Sequence, residues 1–427
     1  SLERVYGNLS KGVKVTVSGS VAYLSGEGFM EQNHLRNNAS WKKIQNSIKS
    51  LHIETKVRSI SDNAFDNCNQ LRQVTIPNGV MFIGDGVFAD CSQLSSVELP
   101  ESLIEIGSRA FSYCPLEIVR IPYQVTDISK GLFCICESLK KAVLAITVES
   151  IGKSSFEGCV NLEQINFLPN LSTIAKRAFF KCKSLTSFQI SNGVDLIDDE
   201  VFCGCCCLKE IILPPNITRI GKKAFSMTCI ESIVIPSTVV SIGDEAFAKC
   251  KKLVSLDLPS LVSEIGSGAF AGCISLRNIK LPDSLNVLGS KAFSNCKSLS
   301  TIQLPPTLEV IEDSTFLGCK KLASVTLPPS LTRIGKSAFK LCRILSQIDL
   351  PSTLQEICKN SFYKCNLKEV VIPPNISLIK SGTFSYCRQL ERVIITGSLK
   401  SLAEDAFSKT LIDTSTLPIC NNTPKVE

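Results

Sequence analysis

A phenylalanine returns every 22 or 23 residues, at positions 65, 88, 111, 133, 156, 179, 202, 225, 247, 270, 293, 316, 339, 362, 384 and 407. A chain with so constant an interval is built of like coils stacked on one another, because one such unit cannot bury its own apolar face. Residues 253–270, LVSLDLPSLVSEIGSGAF, and residues 276–293, LRNIKLPDSLNVLGSKAF, show the frame L-x-x-I-x-L-P-x-x-L-x-x-I-G-x-x-A-F-x-x-C. The fourth and sixth positions are apolar around a polar one, as in Leu256-Asp257-Leu258, which is a short strand with one face inward. Proline follows in most units and closes the strand, since it has no N–H to continue a ladder. A second apolar pair turns the chain back, and the phenylalanine follows a small residue in what reads as a short helical turn. Gly84 and Gly266 end that second pair, but Asp198, Glu312, Cys358 and Lys380 occupy the same slot, so no positive φ is required there.

The frame covers residues 48–407 as sixteen units. The expected fold is therefore a repeat solenoid, a right-handed superhelix with a parallel β-sheet on the concave face. Residues 1–47 break the frame and hold the only tryptophan, Trp41, which suits an N-terminal cap over the open end. Residues 408–427 read as a partial turn and tail.

Cysteine is the next constraint. Fourteen of the 21 cysteines lie three residues after the ladder phenylalanine, from Cys68 to Cys387. A residue set by phase alone is most simply a small buried packing group, with serial disulfides or metal binding as the alternatives. In the stretch VFCGCCC (201–207), Cys205 is such a rung, while Cys203, Cys206 and Cys207 fall in slots that suggest partial exposure. Cys207 and Cys229 occupy equivalent slots one unit apart, near enough to pair under oxidising conditions. An odd cysteine count excludes complete pairing within one chain.

The motif IPxxLxxIGxxAFxxCxxL resembles the leucine-rich repeats of the BspA-like type over residues 48–407. The leading segments TVSGS, GEGFM, ASWKK and NSIKS are similar to the cap of that family. The resemblance implies a surface or secreted protein of bacteria or unicellular eukaryotic parasites. Its role would be adhesion, binding host or extracellular-matrix protein. A cytoplasmic scaffold of the same architecture is the alternative, and many unpaired thiols suit a reducing compartment.

Nothing in the chain carries catalysis. There is no P-loop, no HExxH and no GxSxG, and only His34 and His52 offer imidazole, so no enzyme activity, cofactor or metal is expected. The acidic run Asp198-Asp199-Glu200 reads as a solvated turn. Binding falls to the polar residues between the inward-facing strand positions. The candidate contact face is Ser255, Asp257, Asn278, Lys280, Thr301 and Gln303, with Ile212 and Val234 as apolar exceptions. No aromatic anchors that row. A second face, around the phenylalanine turn, carries Lys222, Lys223, Lys249, Lys251, Lys252, Lys320, Lys321, Lys336, Lys340 and Arg343. With a net charge of +7 it reads first as a solvated surface; an acidic glycan or a membrane surface is the sharper alternative. Nucleic acid is not expected, and no run of apolar residues is long enough to span a membrane. Six N-x-S/T sequons occur, at Asn8, Asn38, Asn170, Asn216, Asn375 and Asn421, of which Asn170, Asn216 and Asn375 share one loop slot and are the candidate glycosylation sites.

Overall fold

The computed structural model describes residues 4–6, 12–32, 35 and 37–419; His34 and the sequons at Asn8 and Asn421 fall outside them. The chain forms two compact units, Ser1–Pro214 and Pro215–Glu427. Each is a parallel-strand β-solenoid, and together they hold about fifteen turns.

A coil has three hydrogen-bonded stretches. The first strand alternates outward and inward residues, as in Ser255–Asp257, where only Leu256 is buried. It pairs in parallel with its equivalent in the next coil, Ser255 against Asn278 and Asp257 against Lys280. The second strand is shorter, as in Glu264–Ile265, which pairs with Val287–Leu288. The third stretch, around the phenylalanine, is not helical. The residues two before and two after it adopt left-handed backbone: Lys291 at φ 59° and Asn295 at φ 60° bracket Phe293. This corrects the expected helical turn, and its cause is visible in the hydrogen bonds. Alternating left- and right-handed residues turn alternate N–H groups the same way. Lys291, Phe293 and Asn295 each donate to the next coil, to the carbonyls of Asp313, Thr315 and Leu317, at 2.9, 2.9 and 2.6 Å. A helix would spend those donors within its own coil. Among the described residues the one α-helix is Ala39–Ile44, outside the repeats.

Phenylalanine rings form the core. Phe293 and Phe316 stack with centroids 5.7 Å apart and planes 3° from parallel, and Phe339 lies 5.3 Å beyond. Glycine in the I-G slot has ordinary φ, as the mixed occupancy of that slot implied. A Cβ added at Gly107 would come within 2.4 Å of the Asp85 backbone nitrogen, so in that coil closeness rather than torsion selects glycine.

The fourteen rung cysteines are all buried thiols. Each one above the first in its stack also donates a hydrogen bond. The thiol of Cys296 lies 3.2 Å from the Phe270 carbonyl, and Cys319 lies 3.1 Å from that of Phe293. In the two coils without a rung cysteine, Thr228 and Thr410 fill the position, and their hydroxyls donate to the Phe225 and Phe407 carbonyls at 2.9 and 2.7 Å.

At the amino end, β1 (Arg4–Tyr6), β2 (Lys14–Ser18) and β3 (Val21–Ser25) form an antiparallel sheet. The last of these joins β4 (Ser50–Ile53) in parallel and so extends the first-strand ladder. The helix Ala39–Ile44, capped by the Asn38 side chain, sets Trp41 edge-on to Phe65 at 5.6 Å. Gln45 donates through Nε2 to the Asp66 carbonyl at 3.2 Å, filling the place a preceding coil would take.

Candidate functional site

The outward residues of the first strand make a regular polar row, and its interest lies where the ladder breaks. In the second unit, Asn278–Lys280 and Thr301–Gln303 belong to separate two-stranded sheets. Between them opens a cleft of about 380 Å³ lined by Asn278, Lys280, Asp283, Thr301, Gln303 and Pro305. The structure thus brings four of the sequence-derived contact residues together at one opening. Ser255 and Asp257 lie in register beside Asn278 and Lys280 on the neighbouring strand, outside the cleft lining. The first unit has the same device between Ser96–Glu98 and Ile118–Arg120, a cleft of about 410 Å³ lined by Glu98, Glu101, Ile118, Arg120, Ile121 and Pro122. A third opening, about 550 Å³, lies along the second strand and is lined in part by Asn286, Val287, Thr307, Glu309 and Glu312.

Ile212 and Val234 are 60% and 86% exposed, one in each unit. Sequence reasoning missed the aromatic residues. Tyr123, next to the cleft-lining Pro122, is 62% exposed, and Phe167 is 47% exposed. Both sit after the strand rather than on it, so a search restricted to the outward strand positions passes over them.

The other candidates divide. Cys203 is buried, contrary to the partial exposure expected of its slot. Ser112, Ser226, Ser294 and Ser385, also directly after a ladder phenylalanine, are buried in the same place, while Cys134 there is half-buried. Cys206 and Cys207 are exposed and Cys229 is half-buried. The acidic run is engaged: Asp198 accepts from the Lys176 backbone N–H at 2.9 Å, and Glu200 pairs with Arg177 at 3.0 Å. Arg177 also grips Glu157 at 2.6 Å and stacks on Phe180 at 3.8 Å. Burial pushes the Glu157 carboxyl up, and the hydrogen bonds from Arg177 and Ser154 outweigh it and hold the group below its usual range.

The loop slot of the sequons has a structural use of its own. Asn170 and Asn375 donate through Nδ2 to carbonyls of the preceding coil, Ile146 at 3.0 Å and Ser352 at 2.9 Å. Thr238 and Thr353 do the same from equivalent positions with their hydroxyls. Asn216 is half-buried, and its Oδ1 is without a hydrogen-bond partner.

Parallel coils of 22–23 residues, an inward ladder of leucine and isoleucine and a polar outward row define a leucine-rich repeat protein. More narrowly, the chain belongs to the family described as BspA type leucine rich repeat region, whose model matches residues 37–140, 126–254, 240–357 and 311–426. Among solved structures it is similar to a leucine-rich repeat protein from Bacteroides ovatus, at 22% identity and a TM-score of 0.61, over 91% of this chain and 100% of that one. A leucine-rich repeat protein from Eubacterium ventriosum is similar at 25% identity and a TM-score of 0.50, over 86% and 96%. A leucine rich cell surface protein from Faecalibacterium prausnitzii is similar at 21% identity, with a TM-score of 0.46, over 93% and 96%. No curated protein matches the chain. A protein-interaction role follows from the family.

Proposed function

We propose that this protein is a non-enzymatic adhesion protein that acts at a cell surface or after secretion. It takes a host or extracellular-matrix protein onto the outward row of its first strands. The observation that carries this reading is the interrupted ladder. A side chain of the partner can enter the cleft between Lys280 and Gln303 while Ser255 and Asp257 hydrogen-bond beside it, which supplies a pocket and a polar rim together. Ile212 and Val234 are proposed apolar contacts. The test is binding of the intact protein to immobilised matrix proteins, compared with a Thr301→Glu/Gln303→Glu variant and an Ile212→Asp/Val234→Asp variant. A loss of about tenfold or more in the first, with an unchanged melting curve, supports the cleft, since one buried hot spot commonly carries that much. Equal binding by both variants overturns it.

On export, Asn170, Asn216 and Asn375 are the proposed glycan sites and Cys207 with Cys229 the proposed pair. Glycosidase treatment and non-reducing mass mapping of native protein test these. A second reading, an intracellular scaffold, is favoured by the exposed thiols of Cys206 and Cys207, which an oxidising compartment would attack. Thiol titration of protein from its native source, with and without reductant, separates the two.

A further inference from the structure

The phenylalanine turns of the second unit hold a cluster that the strand face does not use. Tyr363 and Tyr386 sit on adjacent coils with ring centroids 5.3 Å apart. Lys340 places its ammonium 4.9 Å from the Tyr363 ring centre, and Lys364 lies 5.3 Å from Tyr363 and 5.1 Å from Tyr386. Lys336 and Lys359 repeat on successive coils three residues before the phenylalanine. Arg343 and Arg388 repeat four residues after it. None of these six cations is in an ion pair among the described residues, although the same coils pair Arg333 and Lys380 with carboxylates along the second strand.

The turn segments from Lys336 to Arg343, Lys359 to Asn366 and Ser381 to Arg388 contain no acidic residue. Two carboxylates at the edge of this surface are held by hydrogen bonds, and on the last coil Glu404 takes the slot of Lys336 and Lys359. Asp313 accepts from the Lys336 N–H at 2.7 Å, and Asp405 accepts from the Ser381 hydroxyl at 2.8 Å and the Gly382 N–H at 3.1 Å. Neighbouring coils are spaced about 4.8 Å apart, less than the Debye length of about 8 Å at physiological salt, so cations repeated along them repel one another and an anion placed along the row relieves it.

We propose that this ridge binds an acidic polysaccharide, a chain of sulfated or uronate sugars laid across successive coils. The tyrosines tell against nucleic acid as the ligand, because their faces hold the protein's own ammonium groups and are not open for base stacking. They fix lysines that would otherwise be mobile, which lowers the ordering loss on binding. The phenolic hydroxyls of the same turns can serve the sugar hydroxyls between charges. This site stands whether or not the strand face takes a protein.

The experiment uses the full chain, with heparin as the sulfated uronate probe and neutral dextran as its uncharged counterpart. Three variants are compared: Lys340→Gln/Lys359→Gln/Lys364→Gln; Lys336→Gln/Arg343→Gln/Arg388→Gln, which removes the same charge without touching the aromatic contacts; and Lys130→Gln/Lys153→Gln/Lys209→Gln in the first unit. Heparin should bind at about 0.15 M salt and release as salt rises. Both ridge variants should weaken it about tenfold while the first-unit variant changes it less than about threefold, since isolated exposed charges contribute little. No binding at that salt, equal loss in all three variants, or tighter binding of single-stranded DNA or of phosphatidylserine vesicles than of heparin would overturn the proposal.

Discussion

Ile135 adopts φ 58° two residues after Phe133, a conformation in which a β-branched side chain crowds its own backbone. The frame demands that torsion, because the Ile135 N–H must reach the Glu157 carbonyl, 2.6 Å away in the next coil. Ile135→Asn keeps the bond and eases the crowding, so it should raise stability by about 1 kcal/mol and lift the melting midpoint. An unchanged or lowered midpoint would mean that the Ile135 side chain gains more from its contacts than it loses in strain. The position also marks a limit of sequence reading. The slot holds Gly, Asn or Asp in seven coils and Lys, Tyr, Leu, Met or Ile in the others, so the required torsion leaves only a weak compositional trace. Cysteine at the rung was legible as buried because one small residue type recurs there. Its hydrogen bond was not, since a packing residue and a weak donor look alike in a pattern.

Among elements, the amino-terminal sheet and helix are where stability and signal coincide. Trp41 is fully buried against Phe65 and Tyr6 and is the sole tryptophan, so its fluorescence reports this end alone. Coil arrays open from their ends, and the fluorescence should redden at a lower urea concentration than that at which far-UV circular dichroism falls. Coincident curves would show that the end opens only with the whole unit. The repeated strands were readable from the inward pairs such as Leu256 and Leu258. The clefts were not, because Asn278–Lys280 and Thr301–Gln303 keep the same alternation whether or not they pair. Local pattern sets which way a side chain faces; the distance between neighbouring coils depends on how many of them settle together. Tyr123 and Phe167 were missed for a related reason, since they follow the strands at positions where the frame prescribes nothing.

On the scale of the molecule, the buried thiols act in concert. Burial pushes twelve of the rung thiols the same way, up to about 12 for Cys114 and Cys319. In the unfolded chain a thiol ionises near pH 8.5. The folded pKa is the higher one, so the stability these groups contribute is complete below pH 8.5 and declines as pH rises toward the folded value. Each thiol then withdraws about 1.4 kcal/mol per pH unit. With twelve such groups the protein should unfold steeply between about pH 9 and 10.5 while tolerating mild acid. Circular dichroism against pH checks this, and a chain still folded at pH 11 would refute it. Native protein should likewise alkylate at Cys206 and Cys207 long before any rung cysteine.

The turn around each phenylalanine is tied to the next mainly by peptide groups, as in the three bonds from Lys291, Phe293 and Asn295, and by rung thiols on its inner side. What stands on its outer edge is therefore free to change. One stretch of the same scaffold displays a run of sulfur, another lysines laid over tyrosines, and neither disturbs the stacking beneath. A lineage could rewrite the rim of this protein many times over without ever having to reinvent how it folds.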